Sequence, residues 1–167
     1  MDEKLLVKRA SGGDKEAFAA LYMLYRDDLY RYAFFRLGNE EDARDAVSAC
    51  IVAAYEGVFG LRNASAFRPW IFRILYRCCC RYIAQQNDMR HRADTAELNR
   101  LEAPAEHLSP ELKEAFSILN TCDRDIVLLS AVGGYNSREI AEMTGLKPST
   151  VRSRLMRAFK KMKQFLE

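Results

Sequence analysis

Apolar residues recur in steps of three and four along most of this chain, and this spacing constrains the fold more than any other feature. Two clear series comprise Phe18, Leu21, Tyr22, Tyr25, Leu29 and Tyr32, and then Ala43, Val47, Ile51 and Ala54. An α-helix collects residues at this spacing on one face, whereas a half-buried strand needs strict alternation. No segment of useful length alternates. The sequence therefore predicts an all-α fold.

Capping residues mark where the predicted helices begin and end. Asp14 and Asn39 are good N-caps for two helices in the first half of the chain. A break follows over residues 57–65, which contain two glycines and several turn formers. A helix restarts near Pro69, because proline suits a first helical turn, and we predict that it runs to about residue 86.

A polar segment divides the chain in two. Residues 87–108 are mixed in charge and poor in aromatics, so we predict a flexible linker with some helical content around Thr95–Leu101. Ser109, followed by a proline, has the pattern of a new helix start. The chain is thus predicted to form two small helical domains, residues 1–86 and residues 109–167.

Composition argues against several classes of protein. The longest unbroken apolar run, residues 49–55, is far below the roughly 20 residues that a membrane-spanning helix needs. The N-terminus has no apolar core of signal-peptide length, so we expect a cytoplasmic location. The five cysteines are an odd number and include three adjacent ones at 78–80, which does not fit a disulfide framework. His91 and His107 have no partners at metal-ligand spacing, so we expect no metal and no other cofactor.

The net charge of +3 conceals an uneven distribution. Residues 61–92 and residues 147–167 each carry seven basic side chains and one acidic one, whereas residues 93–146 carry four basic and ten acidic ones. Two basic segments separated by an acidic one suggest two contacts with a polyanion. The charge distribution alone is equally consistent with two basic helix faces that contact only solvent.

The C-terminal helices have the pattern of a helix-turn-helix, with Gly145 in a turn where it can adopt the left-handed conformation that ends a helix. On a helical wheel, the last helix has one apolar face, formed by Val151, Leu155, Ala158, Phe159, Met162 and Leu166. The opposite face is basic and hydroxyl-bearing; it comprises Ser149, Thr150, Arg152, Ser153, Arg154, Arg157, Lys160, Lys161 and Lys163. Arginines and small hydroxyl residues suit a helix in the DNA major groove, so we predict duplex binding. The alternative is an amphipathic helix with a solvated basic face.

The predicted helix in the middle of the chain is both basic and aromatic. Arg73, Arg77 and Arg81 lie on one face, and Trp70 lies beside them. Guanidinium groups next to an indole suit single-stranded or distorted DNA, because the cations hold phosphates and the ring stacks on a base. The periodicity fits a core tryptophan with solvated arginines at least as well. The three cysteines point in different directions on this helix, and Cys78 is predicted to be a small buried residue.

Two longer motifs carry a family resemblance. They are FRPWIFRIL at residues 67–75 and SREIAEMTGLKPSTVRSRLMRA at residues 137–158. The first resembles the signature that opens the promoter-melting helix of bacterial RNA polymerase sigma factors of the extracytoplasmic-function type. The second resembles the helix-turn-helix of the same family. The resemblance covers about residues 5–86 and 109–166, with the order and the linker position of that family.

This resemblance implies a non-catalytic subunit that binds core RNA polymerase and directs it to promoters. The second domain would read the upstream promoter element through Ser149, Thr150, Arg152, Ser153, Arg154, Arg157 and Lys161. The first domain would open the downstream element. Its loop would capture a flipped base with Gly60, Leu61, Arg62, Asn63 and Ser65, and its melting helix would contact the strands with Phe67, Arg68, Trp70, Arg73, Arg77 and Arg81.

The resemblance also implies protein partners. A helix over residues 40–56 would lie on the clamp of the largest polymerase subunit, with contacts from Asp42, Asp45, Ser48 and Ala49. Many family members are held inactive by an anti-sigma factor, and the resemblance implies such a partner here. The chain would then be nucleoid-associated when active, or held at the inner membrane through that partner. No small-molecule substrate is implied.

Several positions depart from the family pattern. Ser48 and Ala49 replace a glutamine and an acidic residue, and Arg77 and Arg81 replace an asparagine and an aspartate. These differences leave open a sigma-derived DNA- or protein-binding regulator without productive polymerase binding. A third hypothesis is a helical interaction module with no DNA role. An enzyme is least expected, because no catalytic constellation and no glycine-rich phosphate loop is visible.

Overall fold

The computed structural model describes residues 2–92 and 109–167 of the chain. All regular structure within these ranges is helical, which confirms the all-α prediction. The helices are α1 (Glu3–Ser11), α2 (Lys15–Leu37), α3 (Glu40–Gly57), α4 (Phe67–Arg92), α5 (Pro110–Ser117), α6 (Thr121–Ala131), α7 (Ser137–Thr144) and α8 (Pro148–Leu166). Two 3₁₀ turns, Val58–Gly60 and Ala64–Ala66, connect α3 to α4. The chain divides into two compact units, Met1–Glu102 (unit 1) and Ala103–Glu167 (unit 2).

Side-chain caps begin the helices of unit 1 where the sequence predicts them. Asp14 Oδ1 accepts a hydrogen bond from the Ala17 amide (3.1 Å), and Asn39 Oδ1 accepts one from the Asp42 amide (2.9 Å). The Ala17 amide and the Arg9 guanidinium lower the pKa of Asp14. Such caps satisfy first-turn N–H groups that have no intrahelical partner, so these helix starts follow from local sequence.

The second helix, α2, lies at the centre of unit 1 and packs against α1, α3 and α4. Leu29 and Tyr32 of α2 are fully buried, as are Ile71 and Leu75 of α4. The Tyr32 ring meets the Phe72 ring edge to face, with centroids 6.0 Å apart. This arrangement buries a large apolar area and fixes α4 against α2.

Three cysteines contribute to the same core. Cys50 of α3 and Cys78 and Cys79 of α4 are buried free thiols. Burial raises the pKa of the Cys50 thiol, so it stays protonated at neutral pH. The prediction that Cys78 is a small buried residue is confirmed.

In unit 2, α8 packs against α5, α6 and α7. Val151, Ala158 and Met162 form its buried stripe, and Ile126 and Ile140 are fully buried in the facing helices. The predicted apolar face of α8 is only partly covered, since Phe159 and Leu166 are exposed. A helix of 19 residues spans about 28 Å, and partners of 8 to 11 residues do not cover its whole length.

The predicted C-terminal end of α4 is wrong. The α4 helix runs to Arg92, past the predicted end at residue 86. Residues 83–92 contain no glycine or proline to stop a helix, and several of them are good helix formers. The predicted linker therefore starts too early, and the helical content predicted around Thr95–Leu101 lies outside the described residues. Within the described part of the chain, no helix is long and apolar enough to cross a membrane.

Candidate nucleic-acid interface

Local contacts fix the two helices of the C-terminal motif. Asn136 Oδ1 accepts a hydrogen bond from the Glu139 amide (2.8 Å), and Glu139 Oε1 accepts one from the Asn136 amide (2.9 Å), which forms a capping box at the start of α7. Gly145 ends α7 with φ of 80°, and its amide donates to the Ala141 carbonyl. The left-handed conformation favours glycine here. Pro148 then occupies the first turn of α8.

The outer face of α8 is basic and accessible. Ser149, Arg152, Ser153, Arg157 and Lys161 are exposed. Thr150 is half-buried. The Arg157 Nε–H donates to the Ser153 carbonyl at 3.3 Å, which holds the guanidinium along the helix. Because no acidic residue occurs in α8 before Glu167, this face concentrates positive charge opposite the buried stripe.

One predicted DNA-contacting residue is engaged within the protein. Arg154 Nη1 lies 3.1 Å from Asp123 Oδ1 of α6, in a hydrogen-bonded ion pair. The pairing joins residues 31 positions apart, so no local pattern predicts it. Its guanidinium therefore has a partner before any DNA arrives.

The sequence reasoning missed an apolar member of the outer face of α8. Met156 is 73% exposed and lies between the basic and hydroxyl residues. The helical wheel places it there, but a search for polar side chains passes over it. An exposed thioether on this face offers an apolar surface of the kind that contacts thymine methyl groups.

The arginine face of α4 is less clearly separated from the core. Arg77 and Arg81 are exposed, whereas Arg73 and Trp70 are half-buried. The Trp70 ring lies 5.7 Å from the Phe67 ring, centroid to centroid, at a tilt of 46°. Trp70 therefore packs in the core and presents only part of its indole to solvent.

The loop before α4 is held by its own hydrogen bonds. The Leu61 amide donates to the Val58 carbonyl (3.1 Å), and Asn63 Oδ1 accepts from the Ser65 amide (2.9 Å). Gly60, Arg62, Asn63 and Ser65 are exposed, and Leu61 is half-buried. This segment is therefore an accessible turn whose conformation is fixed by its own hydrogen bonds.

Phe67 and Arg68 need correction as predicted DNA contacts. Phe67 is 1% exposed and packs against the Tyr25 ring at 5.3 Å, so its side chain cannot reach a nucleotide without unfolding. The Arg68 guanidinium lies 4.9 Å from the Phe72 ring centroid and 3.4 Å from Asp28 Oδ2. Arg68 thus joins α4 to α2, and its cation is already engaged.

The predicted polymerase-binding face of α3 is mostly accessible. Asp45, Ser48 and Ala49 are exposed. Asp42 is half-buried and accepts hydrogen bonds from the Tyr82 hydroxyl of α4 and from Asn39 Nδ2. Burial and the Asp42 carboxylate raise the pKa of Tyr82. Asp42 therefore ties α3 to α4 and is directed inward.

The α3 helix also carries exposed apolar residues that the sequence reasoning missed. Val52 is 58% exposed, and Tyr55 and Phe59 follow it along the chain, also exposed. Positions 48, 52 and 55 lie three or four residues apart on α3, so this spacing was the available signal, whereas Phe59 belongs to the following 3₁₀ turn. A groove of about 160 Å³ runs beside this face between α3 and α4, lined by Asp45, Ala46, Ala49, Cys78, Arg81, Tyr82 and Gln85.

The described residues include no group of three or more His, Cys, Asp or Glu side chains placed to hold a metal ion.

Two family models match the chain: Sigma-70 region 2 over residues 21–88 and Sigma-70 region 4 over residues 109–162. RNA polymerase sigma factor SigV of Bacillus subtilis is 31% identical over 140 residues, which cover 83% of this chain and 84% of SigV. The chain belongs to the extracytoplasmic-function sigma factors. The sigma-E factor of Haemophilus influenzae is 28% identical over 95% of this chain and 92% of its own length. This sigma factor therefore binds core RNA polymerase and directs promoter-specific transcription initiation.

Solved structures have the same fold. The sigma factor RpoE of Bartonella quintana, solved in complex with the anti-sigma factor NepR, aligns with a TM-score of 0.75 at 20% identity. That alignment covers 89% of this sigma factor and 96% of RpoE. CnrH, solved with the cytosolic domain of CnrY, aligns with a TM-score of 0.67 at 24% identity over 98% of this chain and 96% of CnrH. Region 2 corresponds to α2–α4 and region 4 to α5–α8.

Proposed function

We propose that residues 109–167 form the domain that reads the upstream promoter element, with α8 in the major groove. The observation that carries this proposal is the exposed face of α8, where basic and hydroxyl side chains lie opposite a buried stripe. Arg152 and Arg157 have the donors for guanine edges or phosphates, and Ser149 and Ser153 have hydroxyls for phosphate oxygens. Thr150 and Lys161 flank this face, and Met156 supplies apolar contact.

We further propose that residues 1–86 open the downstream element. The support is the accessible turn of Gly60, Leu61, Arg62, Asn63 and Ser65, followed by exposed Arg77 and Arg81 and by half-buried Arg73. The turn would receive an unstacked base, and the arginines would hold the phosphates of the separated strand. Trp70 contributes the exposed part of its ring.

Strand opening can be measured with a fluorescent base analogue placed in the downstream element. Arg77→Ala and Arg81→Ala should each lower the rise in fluorescence that accompanies opening, because each removes a cation from the exposed face. Lys15→Ala removes an equally exposed charge from the start of α2 and serves as the control. Equal signals from wild type, Arg77→Ala and Arg81→Ala would contradict a role of these arginines in opening.

We propose that α3 binds the polymerase clamp through its outer face. Asp45, Ser48 and Ala49 are accessible, and exposed Val52 and Tyr55 extend the same face with apolar area. An acidic and apolar strip suits a basic partner surface with an apolar centre. Asp42 acts indirectly, by holding α3 against Tyr82.

We also propose a regulatory partner and a location. The aligned RpoE and CnrH structures each contain a second protein, and NepR is an anti-sigma factor. By analogy, an anti-sigma factor would hold this sigma factor inactive, at the inner membrane where that partner is membrane-bound. The active protein would be cytoplasmic, on the nucleoid, and would have no catalytic site of its own.

Run-off transcription with core polymerase separates these proposals from a DNA-binding regulator that does not engage the polymerase productively. Wild-type protein should give promoter-dependent transcripts from a genomic fragment library. Arg157→Ala should lower their yield more than the matched charge removal Lys15→Ala. DNA binding without transcripts would favour the non-productive regulator.

A further inference from the structure

The ion pair between Asp123 and Arg154 sets one arginine of α8 apart from the others. Arg154 Nη1 lies 3.1 Å from Asp123 Oδ1, and the two side chains are 34% and 13% exposed. By contrast, Arg152 and Arg157 lie on the exposed outer face. The mostly buried carboxylate of α6 therefore holds Arg154 at the border between the packed stripe and the DNA-facing surface.

Two helix starts in unit 2 share a sequence pattern but use it differently. Asn120 caps α6 and Asn136 caps α7, and each is followed three residues later by an acidic residue. In α7, Glu139 Oε1 accepts a hydrogen bond from the backbone amide of the cap residue Asn136 at 2.9 Å. In α6, the Asp123 amide donates to Asn120 Oδ1 at 2.8 Å, while the Asp123 carboxylate meets Arg154. The cap thus fixes the backbone of Asp123, and the carboxylate is directed to α8.

We propose that Asp123 is a positioning residue of the upstream-element interface. It fastens the first half of α8 to α6, and it keeps the Arg154 guanidinium away from DNA phosphates. Phosphate contacts by arginine add affinity for every sequence alike, so this pairing lowers the affinity for all duplexes together and leaves sequence reading to other residues of α8. This inference rests on the proposed function, and it assigns base reading to Arg152 and Arg157 rather than to Arg154.

The test measures binding of the full chain to two duplexes between 50 and 200 mM salt. One duplex is selected by this protein from a randomised pool, and the other has a random sequence. Asp123→Asn should free Arg154 for a phosphate, so the log–log salt slope for the random duplex should steepen by about 0.9. Over this fourfold range of salt, that change is an additional loss of about 3.5-fold in affinity. The slope for the selected duplex should steepen by the same amount, so the ratio of selected to random affinity should stay the same.

Two variants control the assignment. Arg154→Gln in the Asp123→Asn background should restore the wild-type slope, because the freed cation is gone. Lys161→Gln alone should flatten the slope by about 0.9, because the proposed function gives this exposed lysine at the edge of the basic face a phosphate contact. This variant shows that the assay detects the loss of one contact.

The outcomes separate this inference from the proposed function. A slope flattened by about 0.9 in Arg154→Gln alone would overturn the inference, because Arg154 would then already contact DNA. That variant is decisive even if Asp123→Asn reduces the folded fraction. An unchanged slope in folded Asp123→Asn, with a response in Lys161→Gln, would also overturn it while the proposed function stands. Absence of salt-dependent duplex binding by the wild type would overturn both.

Discussion

The two basic faces of this sigma factor differ in how far they are separate from the core. On α8, the predicted DNA residues are mostly exposed, and the buried stripe lies on the opposite side. On α4, one predicted residue is core (Phe67), one is engaged with α2 (Arg68), and two more are half-buried (Trp70 and Arg73). A helix that packs along one face, such as α8, can keep its core side chains on that face and its basic side chains on the exposed one. On α4, which packs against both α2 and α3, some of the side chains predicted to contact DNA also stabilise the fold.

The largest expected effect is on the stability of unit 1. Phe67→Ala removes a ring that is 1% exposed and packs against Tyr25 and Trp70, so it should lower the free energy of unfolding by about 3–5 kcal/mol. Urea unfolding followed by Trp70 fluorescence measures this, because Trp70 is the only tryptophan and reports unit 1. Arg77→Ala, on the exposed face of the same helix, should change stability by less than about 0.5 kcal/mol. Similar losses of unfolding free energy in both variants would contradict the distinction between the buried and the exposed residues of α4.

The next effect concerns DNA affinity without a stability change. Arg157→Ala should weaken binding of a selected duplex by roughly 1–3 kcal/mol if the guanidinium reads a base edge. Because Arg157 is exposed, thermal unfolding of the variant should match that of the wild type. Fluorescence anisotropy with the selected and a random duplex distinguishes base reading from a phosphate contact. Equal losses on both duplexes would assign Arg157 to phosphate.

The outer face of α3 is exposed, like the basic face of α8, so substitutions there should change the binding of a partner although α3 belongs to unit 1. The double change Ser48→Gln with Ala49→Glu adds an acceptor and a charge to an exposed face, beside Asp45. Charge-assisted contacts at an interface contribute roughly 1.5–3 kcal/mol when desolvated, so binding to a typical core polymerase should strengthen by about tenfold. Competition between wild type and variant for core enzyme measures this. Unchanged or weaker binding would mean that this face is merely solvated, or that it is adapted to its own polymerase.

The smallest expected effect is a pH dependence of the stability of unit 1. Tyr25 is buried and donates a hydrogen bond to Glu3 Oε1 at 2.5 Å. Burial and this carboxylate raise the pKa of Tyr25 above its ordinary value of about 10. The stabilisation is fully present below pH 10 and is lost as the pH rises further, because only the unfolded state then releases the proton.

At pH 10.5 the expected loss from Tyr25 is about 1 kcal/mol or less relative to pH 8. Urea unfolding at the two pH values, again read from Trp70, measures the difference. Tyr25→Phe should reduce the fall in stability between them. An undiminished fall in Tyr25→Phe would show that other groups account for it.

Much of the fold was predictable because its determinants are local. Asp14 and Asn39 cap helices at their predicted positions, and Gly145 takes the left-handed conformation expected of it. The end of α4 was not predictable from a stop signal, because none occurs before Arg92. The helix-turn-helix motif was also visible in sequence, since its pattern repeats within one short segment.

Local sequence patterns specify the helices, the buried stripe of α8 and the types of side chain available for DNA and polymerase. The tertiary structure alone decided which of those side chains are accessible. Arg154 pairs with Asp123, 31 residues away in sequence, whereas Arg157 is exposed. Likewise, Phe67 is buried because α2 covers it, and Arg77 is exposed because α2 does not. The reason is physical: helical periodicity depends on neighbours three or four residues away, whereas burial and ion pairing depend on which distant helix packs alongside.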